Sequence, residues 1–158
     1  MKNTFKRSGA ALISLVLLLV LAVSAGAASS QNVGVKFWKE RSDKESMANS
    51  GIDPDRTATL TRQANGTYTL TLPVMQVSKL GVTGYLSGLT IGDVTYDGTL
   101  TGDFNKATAV LTIKNLPASV LTGSDVNKSV LVTCNIQMDL QVLGEMTQDG
   151  RMCIWNQK

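Results

Sequence analysis

The sequence predicts one antiparallel all-β domain, a sandwich or a barrel, behind a cleavable leader. Three observations carry that prediction. Apolar and polar residues alternate over roughly seven to nine short runs, the period of a half-buried strand. Turn residues separate these runs at near-regular intervals, as in sandwiches and barrels. After residue 27 no stretch of useful length keeps a helical period.

The leader is residues 1–27. Lys2, Lys6 and Arg7 give it a charged start, residues 10–23 are almost unbroken apolar, and Ala25-Gly26-Ala27 is a small-residue cleavage site. The apolar run is shorter than the ~20 residues of a full membrane span. The expected product is a single domain, residues 28–158, secreted or at the cell envelope, with no span after cleavage. Three of the 15 Lys and Arg fall in the leader and none of the 12 Asp and Glu do. The remainder carries 12 bases against 12 acids, so a basic face for nucleic acid is not expected. The chain has no histidine. That removes Ser-His and Cys-His catalysis and histidine-bound zinc or haem. No enzymatic activity is expected. Asp93, Asp97 and Asp103 stand among turns and read as caps, with a calcium site as the lesser reading.

The elements follow in order. Residues 32–39 (NVGVKFWK) read as a first strand, with Val33, Val35 and Phe37 on one face. Residues 45–55 form a polar lip. Ser42 or Asp43 is placed to cap a single helical turn through Ser46-Met47-Ala48-Asn49, which Gly51 ends. Residues 57–62 and 67–72 alternate around Asn65-Gly66, the strongest short-range hairpin signal. Residues 74–79 read as a connection. Residues 82–86 and 89–94 read as strands broken at Ser87-Gly88, and 96–104 and 107–114 as a pair turning at Asn105-Lys106. Glycines 81, 84, 88, 92, 98 and 102 imply bulges, twist or a ligand near the backbone. After a polar crossing, residues 130–142 alternate for longest, with Val130, Val132, Cys134, Ile136 and Met138 on one face. Residues 151–156 are a short last strand.

The two cysteines belong to a chain bound for an oxidising space, so a disulfide between Cys134 and Cys153 is expected. A two-residue turn at Leu143-Gly144 sets them directly opposite each other. A turn at Asp149-Gly150 does not. Such a bridge adds about 3 kcal/mol in the chain-entropy picture.

Ser46-Met47-Ala48-Asn49, the Asp53-Pro54 turn, Ala58-Thr59-Leu60 and the run Asn65 to Leu72 (NGTYTLTL) together resemble the start of a NEAT (near iron transporter) domain. The resemblance covers most of residues 28–158 and is specific only over residues 45–74. It implies an immunoglobulin-like antiparallel β-sandwich with a short lip helix, binding haem or a haemoprotein at bacterial surfaces for iron acquisition. It implies haem between the lip and the last hairpin, with Ser46 on a propionate, Met47 on the porphyrin face, and Val142, Leu143 and Met146 completing an apolar slot. Two departures stand out. The family's Tyr-x-x-x-Tyr is missing from the last hairpin, there being no tyrosine after Tyr96, and Ser50 and Gly51 stand where the lip usually has an aromatic. Met146 is then the candidate iron ligand, through its thioether, ahead of Met138 and Met152. Two other readings stay open. One is a protein-binding module on the same fold. The other is a calycin-like barrel for a small apolar ligand, suited by the Gly-rich centre, residues 84–104.

Overall fold

A computed structural model describes residues 28–79, 81–139 and 144–158. Nine strands fall among them: β1 (Ser29–Lys39), β2 (Ala58–Arg62), β3 (Tyr68–Pro73), β4 (Val77–Lys79), β5 (Val82–Ile91), β6 (Val94–Thr101), β7 (Val110–Leu116), β8 (Val130–Met138) and β9 (Glu145–Asn156). The ladder runs β4-β5-β6-β7-β3-β2-β1-β9-β8, and β8 pairs back onto β5. Eight strands therefore close an antiparallel barrel. β4 lies on the Val82–Gly84 end of β5, ahead of the point where β6 joins at Gly88.

The expected pair of packed sheets is thus replaced by one continuous wall. Closure removes the free sheet edges that a sandwich leaves. It does not make a small-molecule barrel. Strands far apart in sequence are neighbours, as in β3–β7 and β1–β9, so the order is not up-and-down. The interior is also full. Phe37, Leu60, Leu70, Leu72, Leu111, Ile113 and Ile154 have no exposed surface and form one cluster. Each lies on the apolar face of an alternating run, and that alternation is what aims these side chains inward together.

The Asn65-Gly66 hairpin forms, in a wider turn than two residues. Gln63 pairs with Thr67 through a 2.8 Å hydrogen bond, and Gly66 N–H donates to the Gln63 carbonyl at 3.0 Å. Only Gly66 takes positive φ, +83°. Asn65 instead uses its side chain, Oδ1 accepting from Thr67 N–H at 3.0 Å. The expected break at Ser87-Gly88 is a bulge inside one strand, since the β5–β8 register shifts between Leu86 and Gly88. Gly98 faces that bulge. A β-carbon there would sit 2.6 Å from the Ser87 carbonyl oxygen and 2.3 Å from Leu111 Cδ1. Its glycine therefore serves a close approach of strands.

The last hairpin corrects the cysteine expectation. β8 and β9 pair Cys134 with Gln148 and Val130 with Met152, so even-numbered residues face even-numbered residues. Met138 N–H also donates to the Gly144 carbonyl at 3.0 Å, continuing this register instead of the one that a two-residue turn at Leu143-Gly144 requires. Cys134 joins the interior cluster with Met152 and Ile154, while Cys153 alternates to the outer face. There its thiol donates to the Asp125 carbonyl at 3.5 Å, under the crossing chain. Both thiols are free and buried, on opposite sides of the wall, so no disulfide joins them.

Candidate functional site

The lip is organised by a gap in the wall. β1 pairs with β2 only from Ser29 to Val33, and with β9 from Val33 to Lys39. Beyond Val33 one edge of β1 has lost its neighbour. The lip fills that edge with a five-residue 3₁₀ turn, Met47–Gly51, where a single helical turn was expected. Asn49 Oδ1 accepts from Phe37 N–H at 2.8 Å, and Asn49 Nδ2 donates to the Phe37 carbonyl at 2.7 Å. Ser46 N–H donates to the same carbonyl at 3.0 Å. Ser46 itself caps the turn, its Oγ accepting from Ala48 N–H at 3.2 Å, so neither Ser42 nor Asp43 is the cap. The far end is strapped down as well. Ile52 bridges Val74, Met75 N–H donates to the Gly51 carbonyl, and Asp53 N–H donates to the Pro73 carbonyl.

Between the lip and the mouth of the barrel opens a crevice of about 300 Å³. That is the lower end of the range of small-molecule sites. Met47, Ala48 and Gly51 form the lip side, and Val77 of β4 closes one end. Val82, Gly84 and Leu86 of β5, Ile136 and Met138 of β8, and Met146 and Gln148 of β9 form the barrel side. Tyr85 also contributes, its ring packed on Phe104 with centroids 5.1 Å apart. Asp, Glu, Lys, Arg and Cys are missing from this described lining. Met47 and Met146 are 51% and 47% exposed, unusual for large apolar side chains. Both line the crevice.

The structure brings together two of the residues the sequence singled out, Met47 and Met146. Ser46 lies just behind the crevice, 5% exposed, with its oxygen committed to the cap rather than lining the space. Val142 and Leu143 fall outside the described residues. Of the secondary candidates, Met138 lines the crevice, whereas Met152 is fully buried inside the barrel. Val77, Val82 and Ile136 were missed as wall residues. Ile136 shared the face of Cys134 and Met138 in the alternation. Gly81, at φ +79°, was a usable signal that 77–79 and 82–91 form a hairpin.

Among the described residues no chemistry-bearing cluster competes with the crevice. Among the described residues no three His, Cys, Asp or Glu side chains converge on a metal position. Asp103 is a cap, its Oδ1 accepting from Asn105 N–H at 2.9 Å. Burial, with Asp149 adding repulsion, pushes the Cys134 thiol up to about 12, far from a reactive thiolate. No described helix is long and apolar enough to cross a membrane.

No family model matches the chain, and no curated protein matches it at a significant level. Solved structures do match. The NEAT5 domain of IsdX2, a B. anthracis hemophore in complex with haem, superposes with a TM-score of 0.53 at 12% identity, covering 83% of this chain and 98% of that one. A single-residue variant of the same domain, also in complex with haem, gives 0.51 at the same identity and coverage. The chain therefore has a NEAT-like fold.

Proposed function

We propose that this chain is a divergent NEAT-type module that captures haem for iron acquisition. One observation carries the proposal. On a fold like that of a haem-bound hemophore domain, an apolar crevice free of described charged walls opens between the lip and the final hairpin. Burying porphyrin carbon against Met47, Ile136, Met138 and Met146 supplies most of the affinity, at about 25 cal/mol per Å² of apolar surface. Met47 packs on the ring face from the lip. Met146 offers its thioether to the iron from β9, where the family places a tyrosine. Haem bound there supplies an iron centre for exchange with a donor or acceptor. Ser46 contributes by holding the turn that carries Met47.

The leader extends the same reading. The domain is exported, cut after Ala27, and meets haem or a haemoprotein outside the cell or in its envelope. Its zero formal charge over residues 28–158 suits neither nucleic acid nor an acidic surface.

The test is a titration of the full chain with haemin followed in the Soret region. A shifted, saturable Soret band is expected, abolished by Met47→Asp, which puts an unpaired carboxylate into an apolar slot. An unshifted band at all haemin concentrations overturns the proposal.

A further inference from the structure

We propose that the crevice discriminates haem by the oxidation state of its iron, holding ferrous haem more tightly than ferric haem, with the Met146 thioether as the donor. The inference rests on the haem reading above and adds to it a ligand preference opposite to that of an anionic oxygen donor. Two independent features of the walls point the same way.

The first is the donor set. The described lining offers the thioethers of Met47, Met138 and Met146, the amide of Gln148 and the ring of Tyr85. The chain contains no imidazole, and among the described residues no carboxylate or thiol lines the crevice. Tyr85 stands on β5, out of the last hairpin, with its ring against Phe104. Thioethers are soft donors and favour the lower oxidation state, which is why methionine ligation raises the potential of haem iron.

The second is electrostatic. The ferrous porphyrin core is neutral, whereas the ferric core carries one net positive charge. An apolar slot that offers that charge no counter-ion penalises the ferric form. The carboxylate nearest in sequence to Met146 is Glu145, which alternates to the other face of β9 and accepts from Ser87 Oγ at 3.3 Å. Asp149 is likewise on the outer row, taken up by Thr133 Oγ1 at 2.7 Å. Neither lines the crevice.

Affinity ratio and potential are one quantity by linkage. The full chain is titrated with ferric haem in air, with ferrous haem under dithionite without oxygen, and with metal-free protoporphyrin. Each titration is followed by porphyrin absorbance. Ferrous haem is expected to bind at least about tenfold tighter than ferric haem, a rise of about 59 mV in midpoint potential for one electron. Met146→Leu is expected to lower that ratio, with ferrous affinity falling by a larger factor than protoporphyrin affinity, and its remaining protoporphyrin binding shows that the variant is folded. Ferric binding as tight as ferrous, or a ratio unmoved by Met146→Leu, overturns this inference and leaves the haem reading standing. Failure of all three ligands to bind removes the haem reading and the inference together.

Discussion

The side-chain amide of Asn49 takes the place of a strand. It satisfies both the N–H and the carbonyl of Phe37, on the stretch of β1 that β2 has left. A neighbouring ion pair, Lys36 with Glu45, also spans β1 and the lip, but its side chains are 33% and 62% exposed. An exposed pair of that kind contributes about 0–1 kcal/mol. Loss of the amide leaves a half-buried N–H unpaired, at about 1–3 kcal/mol. Asn49 therefore dominates. Asn49→Ala is expected to speed hydrogen exchange at the Phe37 amide and to weaken haemin binding about tenfold, for a stability loss of only ~2 kcal/mol. Slow exchange at Phe37 in the variant would show that the lip is held another way. The thiols give a second prediction at this scale. Air-purified chain is expected to release two titratable thiols in denaturant and to show neither when folded, as measured with a disulfide reagent. Cys134 also makes stability depend on pH. Its folded value, about 12, lies above the ordinary thiol value of 9.0. The neutral thiol is thus favoured in the fold, and its contribution is complete below pH 9 and lost as pH rises from there toward 12.

Among the elements, local signals were enough wherever turn chemistry acts alone. Asn65-Gly66 marked the β2–β3 hairpin because only a residue tolerant of positive φ closes it, and Gly66 is that residue. The lip was legible as one turn ended by Gly51, though not its cap or its 3₁₀ form. The choice of Ser46 over Ser42 and Asp43 depends on Phe37 fixing the backbone at residue 46. Gly98 tests how tightly the bulge is packed. Gly98→Val is expected to cost about 3 kcal/mol or more, read from the urea midpoint, because its β-carbon meets the Ser87 backbone oxygen as well as the fully buried Leu111 side chain. A cost under about 1 kcal/mol would mean that the β5–β6 contact relaxes freely. The β8–β9 register failed from sequence for a general reason. Alternation fixes which residues share a face but not which pair across the ladder. The opposed-cysteine argument paired an even residue with an odd one, and the observed ladder pairs even with even.

At the scale of the molecule, the described side chains fill the barrel, so the apolar crevice lies at its mouth. The interior cluster runs from Val33 to Ile154, so the crevice depends on the lip standing off the ends of β5, β8 and β9. This is why closure of the ladder does not favour the small-molecule barrel, and why the haemin titration tests the mouth rather than the core. The same geometry explains the incomplete site prediction. Met47 and Met146 were legible because the resemblance in the lip and the last hairpin pointed to them. Val77 and Val82 were not, since their place on the rim follows from β4 lying against β5 beside the lip.

The sequence by itself determined the all-β class, the alternating faces, the first hairpin and the lip. Each of these depends on neighbours within a few residues. Only the tertiary structure decided that the wall closes, that the thiols sit on opposite sides of it, and that an apolar slot remains open. Those outcomes depend on the pairing of strands far apart in the chain, which alternation leaves undetermined. They also depend on the volume left when the barrel is full, a property no single stretch of residues carries.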